Sequence, residues 1–334
     1  LVRSWFFRIF TLLAVVFLGF FNFAMMLMED NFGLWFVKAV SSNIPYLNLL
    51  LLNTGQAVVA VFLSSEFLKR DKKLDTSEVF YVRPLSNAEY VVGKIWGNLR
   101  VFLFLNLLVL AIVLAFNFMA SGVTVDLPVY LVYFFLISIP TLIFIIGLSI
   151  FLMLLLKNQA LTFILLLGYI GLTLFYIQDK FYYLFDYMVY NLPLFKSTIV
   201  GFSSLELILN HRAIYFFAGL GFIFFTIFLF KRLPNARRSH YPWLFLSLCM
   251  FLLAGTAGFR HVRSILREGE VRALYTSINN KYVHEPKMAI DRYDISVEQE
   301  PETIRSVVGM KGTALAASEV FTFCLNPGLR VEEV

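Results

Sequence analysis

Long apolar runs alternate with short polar connections along most of the chain. Seven of the runs are long and apolar enough to cross a bilayer core about 30 Å thick. Each run therefore predicts one membrane-spanning helix. The predicted spans are Ile9–Met28, Pro45–Ser65, Val101–Met119, Leu127–Leu156, Leu161–Ile177, Ala213–Phe230 and Pro242–Phe259.

The last part of the chain, residues 261–334, has the composition of a soluble domain. Apolar and polar residues alternate strictly over 292–298, which predicts a half-buried strand. The alternation returns over 321–325, just before a turn sequence at 326–328. The pattern therefore predicts an all-α polytopic membrane bundle of seven transmembrane helices, followed by the start of a β-domain.

Composition places the chain among integral membrane proteins. Hydrophobic residues make up 59% of it, charged residues only 15%, and phenylalanine alone fills 38 of the 334 positions. A soluble domain of this length could not bury so much apolar surface. The net charge is +6, but the basic residues are not gathered on one soluble face. We therefore expect contact with membrane lipid and no nucleic-acid partner.

The placement of Lys and Arg predicts the orientation of the spans. One set of connections holds fourteen of them, seven within 66–100, and the alternate set holds four, with Arg212 among the four. The positive-inside rule then places the N-terminus and residues 66–100 in the cytoplasm. Seven crossings leave the tail outside, although Arg260 and three further arginines follow the last span. We expect a multi-pass protein of the inner (cytoplasmic) membrane with an extracytoplasmic tail.

A densely charged island, residues 66–94, separates the second and third spans. It holds eleven charged side chains in twenty-nine positions. Asp75-Thr76-Ser77-Glu78 fits a capping box and predicts a short helix, which Pro84 ends. Ser86-Asn87-Ala88-Glu89 fits a second capping box, opening a helix that continues into the third span. Mixed charge around a small apolar ridge suits a protein partner; the alternative is a solvated loop that only fixes topology.

Residues 178–211 are too polar to span a membrane and too aromatic for an ordinary loop. Tyrosines alternate there with Phe and Leu, and Asn191-Leu192-Pro193 divides the stretch. The pattern predicts two short helices that dip into the outer leaflet. There each tyrosine would place its ring among apolar groups and its hydroxyl in water. The stretch is interpreted either as an interfacial belt or as an external gate.

Polar groups also occur inside the predicted spans. Asn53, Thr54 and Gln56 lie in the second span, and buried amides need partners in protein or water. Two interpretations stay open: hydrogen bonds between helices, or the lining of a substrate path. Pro140, in the middle of the fourth span, removes a backbone donor and predicts a kink.

The sequence shows no catalytic motif. It contains no G-x-x-x-x-G-K-[ST] phosphate loop and no H-E-x-x-H zinc motif. The four histidines lie apart in sequence without ligand spacing and are interpreted as interfacial or surface residues. Cys249 and Cys324 form neither a disulfide framework nor a zinc site by themselves. We predict no catalytic, metal-binding or cofactor-binding residue, and therefore no enzyme activity in this chain.

The island carries an ordered series of charged and turn residues. The series is Glu66, Arg70-Asp71, Glu78, Arg83-Pro84-Leu85-Ser86, Tyr90 and Gly93-Lys94. In this order it resembles the first cytoplasmic loop of type-2 ABC exporter permeases. The resemblance covers roughly residues 1–235 and includes six spans, short outer loops and a re-entrant hairpin between the fifth and sixth spans.

The resemblance implies a role for each part of the chain. Residues 1–240 would be a six-span permease domain, with a coupling loop at 66–100 and an external re-entrant hairpin at 178–211. The seventh span at 241–260 and the extracytoplasmic tail at 261–334, an incomplete β-sandwich-like domain, depart from the standard six-span permease. ATP and Mg would be bound by a separate ABC-type ATPase subunit, and a second permease half would complete a homo- or heterodimer. The implied sites are the coupling helix contacts Asp75, Ser77, Glu78, Val79, Phe80, Tyr81 and Arg83; the polar hinge Glu66, Arg70 and Asp71; and the external hairpin residues Tyr183, Asp186, Tyr187 and Tyr190.

The tail resembles the opening strands of the N-terminal β-domain of gluzincin zinc aminopeptidases. The resemblance rests on Tyr293-Asp294-Ile295 and on the sequence from Phe323 to Leu329, without the zinc motif or the substrate-amine motif. The chain begins with Leu1 and stops after a strand-like run, so we expect a piece of a longer protein. The alternative function is therefore a membrane anchor for a fused extracytoplasmic aminopeptidase. A membrane sensor would need a cytoplasmic output domain, and the sequence shows none.

Overall fold

The computed structural model describes the chain in nine stretches. They are residues 5–27, 42–73, 86–119, 125–197, 201–230, 241–299, 303–323, 325 and 329–333. Two compact units divide the chain, residues 1–264 and residues 265–334.

Seven helical segments among the described residues are long and apolar enough to cross a membrane, which confirms the predicted number. The first three are α1 (Trp5–Leu27), α2 (Asn43–Lys73) and α3 (Asn87–Met119). The fourth joins α4 (Leu127–Tyr133) to α5 (Ile139–Leu156) through a π-helical turn, Phe134–Ser138. The fifth is α6 (Gln159–Leu172) with a π-helical turn at Thr173–Ile177, and the last two are α7 (Leu205–Leu229) and α8 (Tyr241–Lys281).

The predicted capping box at Ser86 is present and begins α3. The Ser86 backbone N–H donates to Glu89 Oε2 at 2.7 Å, and the Glu89 N–H donates to Ser86 Oγ at 3.1 Å. These two bonds satisfy donors that a helix N-terminus otherwise leaves free. The resulting helix of 33 residues is about 50 Å long.

The fourth span is irregular where Pro140 predicts a kink. Pro140 cannot donate to the carbonyl of Leu136, four residues earlier, because its nitrogen carries no hydrogen. The turn just before it, Phe134–Ser138, is π-helical. The helix is therefore irregular next to Pro140, and backbone carbonyls in this turn become available for other donors.

Two glycines allow α5 and α7 to approach closely. A Cβ placed on Gly219 would lie 2.7 Å from the backbone nitrogen of Phe144, and one on Gly147 would lie 2.7 Å from the carbonyl oxygen of Gly219. Small residues at such crossings let helix backbones meet. This contact fixes α7, which carries several of the polar residues described below, against the core.

The second unit contains a β-hairpin. β3 (Met288–Gln299) pairs antiparallel with β4 (Ile304–Ala314), which confirms a strand over 292–298. The expectation that this strand is half-buried is wrong, because every residue of 292–298 is exposed. The prediction of a strand over 321–325 is wrong, because Phe321, Phe323 and Leu325 lie outside any strand. The pattern missed β4 because adjacent Val307-Val308 and two glycines hide its alternation.

Candidate functional site

The stretch between α6 and α7 is not a pair of helices, as the sequence predicts, but an irregular segment. We call residues 178–197 the aromatic segment. It contains a short 3-10 helical turn, Phe181–Tyr183, among other turns, and ends in the two-residue strand β1 (Lys196–Ser197), which pairs with β2 (Gly201–Phe202). Its backbone makes short local bonds in successive turns, such as Leu184 N–H to Phe181 O at 3.2 Å and Val189 N–H to Asp186 O at 3.1 Å. Side chains of the surrounding spans bond further carbonyls of the segment.

The middle of the aromatic segment is buried in the first unit. Tyr187, Met188 and Val189 are completely inaccessible to solvent. Connecting segments normally lie on the surface, because a buried irregular backbone must find partners for its polar groups. Its burial therefore requires dedicated donors from the neighbouring helices.

Those donors are present on five helices. Tyr46 of α2 donates to the Val189 carbonyl at 2.7 Å, and Thr141 of α5 donates to the Tyr187 carbonyl at 3.1 Å. The remaining side-chain contacts to carbonyls of the segment are Tyr133 to Leu194, Arg212 to Tyr187, Tyr215 to Leu184, His211 to Tyr183 and His261 to Tyr182.

Arg212 is the central residue of this network. Its Nη1 donates to the Tyr187 carbonyl at 3.0 Å, its Nε to Leu136 O at 2.6 Å and its Nη2 to Ile137 O at 3.3 Å and to Thr141 Oγ1 at 2.8 Å. The guanidinium thus replaces the donor that Pro140 lacks. The sequence counted Arg212 as a loop charge, but the structure places it inside α7, only 2% exposed.

Asp186 supplies a buried acidic group close to Arg212. Burial raises the pKa of its carboxyl, while backbone N–H groups, including that of Asn191, and the charge of Arg212 act in the opposite direction. The Asn191 N–H donates to Oδ2 at 2.8 Å, and Oδ1 has no partner among the described residues. Asp186 and Arg212 form no direct ion pair in the described part of the chain. Their opposite charges interact electrostatically without a direct contact.

The predicted hairpin tyrosines take different positions. Tyr187 is fully buried and stacks on Tyr169 at 5.5 Å, so the prediction of a wet interfacial ring is wrong for this residue. Tyr190 is partly buried and bonds to Thr54 of α2, and Tyr183 is partly exposed. Burial raises the pKa of the Tyr187 and Tyr190 hydroxyls, so both stay protonated.

The polar residues of the second span form bonds between helices. Asn53 Nδ2 donates to Asn106 Oδ1 and to Ser138 Oγ, both at 3.3 Å, and Asn106 Nδ2 donates to Gln56 Oε1 at 2.9 Å. A second pair, Asn22 and Asn48, joins α1 to α2 through reciprocal bonds of 2.7 and 3.1 Å. The first of the two interpretations, bonding between helices, describes the environment observed here.

The other end of α7 contacts the beginning of α3. Asn87 Nδ2 donates to the carbonyl oxygen of Phe230 at 2.7 Å, and the rings of Tyr90 and Phe230 stack at 5.3 Å. α7 has 25 residues and so spans about 38 Å. One helix therefore connects the base of the charged island to Arg212 and the aromatic segment.

The predicted coupling helix falls outside the described residues. This applies to Asp75, Ser77, Glu78, Val79, Phe80, Tyr81 and Arg83. The predicted hinge residues Glu66, Arg70 and Asp71 lie in the last turns of α2, which continues to Lys73 beyond the predicted end of the span. The described residues on either side, up to 73 and from 86, are helical or helix-capping.

Comparison of the chain with models of known protein families, with curated proteins and with solved structures gave no match. The proposed function therefore rests on the geometry of the chain and on its sequence.

Sequence reasoning missed three residues of this site. Arg212, His211 and His261 are buried, whereas the sequence assigned them to a loop or a surface. Pro140 was the usable signal, because a proline inside a span frees a carbonyl that some other side chain must satisfy. Arginine, with five donors, is suited to that task.

Proposed function

We propose that the chain is the membrane-spanning permease half of an ATP-driven ABC export system, moving its substrate across the inner membrane. ATP hydrolysis would take place on a separate ATPase subunit that binds residues 66–94. The observation that carries the proposal is the pair of long helices around the island. α2 continues to Lys73 and α3 begins at Asn87, so only thirteen residues, 74–86, lie between two rigid helices.

This arrangement suits the transmission of force. A partner that pushes on 74–85 would tilt the beginning of α3, and the bonds of Asn87 and Tyr90 to Phe230 would pass the tilt to α7. At its other end α7 holds the aromatic segment through Arg212. A contiguous set of contacts thus supports coupling between the cytoplasmic partner and the extracytoplasmic end.

A second permease half is part of the proposal. Large apolar side chains are exposed on α1 and α3, among them Phe17, Phe20 and Phe104. In a membrane such faces contact lipid or another helix bundle. The amide network around Asn106 lies inside this one chain, so a path between two halves would be lined by other residues than Asn53 and Gln56.

The aminopeptidase anchor is the competing function. One observation favours it: residues 265–334 form a compact unit of their own, whose hairpin exposes Tyr293, Ile295 and Val297 on one face. An isolated two-stranded hairpin is marginally stable, which suits a larger domain. An anchor, however, needs neither the charged island nor the buried network around Arg212.

Affinity purification of the parent protein from mild detergent tests the permease. We expect an ABC-type ATPase to co-purify with the native chain and to be lost from Glu78→Arg and from Val79→Asp, because charge reversal and a buried charge both disrupt an interface. Glu298→Arg, an exposed charge reversal in β3, is the control and should retain the ATPase. An island that tolerates both changes, or no ATPase at all, would favour the anchor.

A further inference from the structure

The turn at the start of the aromatic segment has an unusual backbone. Phe181, Tyr182 and Tyr183 have φ angles of 51°, 59° and 62°, in the left-handed region. Bulky L-residues avoid this region because Cβ crowds the following carbonyl. Three in succession persist only where the surroundings hold them, and such strain is often found at switch regions.

Two histidines hold this turn from two different helices. His211 Nε2 of α7 lies 3.0 Å from the Tyr183 carbonyl, and His261 Nε2 of α8 lies 2.9 Å from the Tyr182 carbonyl. A carbonyl only accepts, so each Nε2 must carry the hydrogen. In the neutral ring each Nδ1 then keeps its lone pair.

The two imidazoles are buried and touch each other. Their ring centroids are 5.0 Å apart, neither side chain is accessible to solvent, and neither Nδ1 has a partner in the described part of the chain. A second proton on the His211 ring would create a buried charge and an Nδ1–H without an acceptor in the described part of the chain. On His261 it would also create a buried charge, with the Leu207 backbone of α7 as the further polar group near the ring. Buried charges without a partner are strongly unfavourable.

We propose that His211 and His261 form an acid-sensitive clamp that keeps the left-handed turn closed. Protonation of a ring raises the free energy of the closed state. The charged ring lowers this free energy by moving into contact with water, and the movement releases the carbonyls of Tyr182 and Tyr183. The strained turn then relaxes and the aromatic segment opens. The clamp holds whether or not the chain is a permease, because it depends only on these contacts.

Charged and titratable groups from three elements surround the clamp. On α7 the neighbour of His211 is Arg212, whose positive charge opposes a second one, and Tyr215 contacts the His211 ring at 5.3 Å. On the aromatic segment the buried carboxyl of Asp186 interacts electrostatically with Arg212. Glu206 of α7 and Arg260 of α8 are exposed and bond to each other at 3.3 Å. The Leu207 backbone of α7 also interacts with the His261 ring. Neither Nδ1 has a hydrogen-bond partner in the described part of the chain.

Hydrogen–deuterium exchange of the full chain in lipid nanodiscs tests the clamp. Exchange rates would be corrected for the chemical effect of pH and compared between about pH 8 and about pH 5, the range in which histidine changes charge. Peptides covering 178–195 are expected to exchange roughly tenfold faster at the acidic pH, while peptides from α5 stay unchanged.

Variants identify the titrating groups. His211→Gln with His261→Gln keeps amide donors for the two carbonyls but removes titration, so the acid response should disappear. His284→Gln replaces an exposed histidine and should keep the full response. Equal exchange of the native chain at both pH values would overturn the proposal, even where the double variant does not fold. An unchanged acid response in a folded double variant would overturn it as well.

Discussion

Replacing Arg212 with methionine is expected to lower the free energy of unfolding by about 3–5 kcal/mol, the range for breaking a buried charge arrangement. Methionine keeps most of the stem volume but provides no donor. Leu136 O, which Pro140 leaves without its α-helical donor, and Ile137 O lose their bonds to the guanidinium, and Tyr187 O loses one of two. Asp186 also loses its nearby positive charge.

The matched control is Arg260→Met. Arg260 lies on α8, 65% exposed at its side chain, and its bond to Glu206 is 3.3 Å long. Exposed ion pairs contribute at most about 1 kcal/mol, so this variant should unfold like the native chain. Denaturant-induced unfolding in mixed micelles, followed by intrinsic fluorescence, measures both. Equal stability of the two variants would show that the Arg212 network does not hold the aromatic segment.

The second large effect is expected from Gly219→Ala. The added methyl group would lie 2.7 Å from the Phe144 nitrogen and 2.8 Å from the Ile143 carbonyl carbon. Because both atoms are backbone, a side-chain rotation cannot relieve the overlap and α7 must move away from α5. Overpacking of this kind costs about 1–3 kcal/mol.

Gly168→Ala on α6 provides the comparison. A Cβ at Gly168 meets nothing within 4 Å, so the same chemical change should be neutral or slightly stabilising in a helix. The unfolding midpoint of each variant in the same micelles gives the difference. If Gly219→Ala is as stable as Gly168→Ala, α5 and α7 are not in close contact at this position.

Some features followed from the sequence because they depend on local chemistry. Span number follows from the length of apolar runs, and the Ser86–Glu89 box follows from two side chains three residues apart. The irregular fourth span follows from Pro140 alone. In each case the residues that decide the structure lie within a few positions of it.

The candidate site could not be predicted in the same way, because its partners are far apart in the chain. Arg212 bonds to carbonyls about seventy-five positions earlier, and His211 contacts a histidine fifty positions later. A tyrosine-rich stretch predicts an interface, but burial of Tyr187 depends on donors from other helices. The β4 strand was missed because its partner, not its own alternation, stabilises it.

The most direct test of the account is site-specific photocrosslinking in intact membranes. A photoreactive residue would replace Val79 in the island or, as the control, Phe181, which is exposed near the opposite end of α7. The account predicts that position 79 captures an ABC-type ATPase and that position 181 does not. Capture of no ATPase from position 79, or of the same ATPase from both positions, would contradict it.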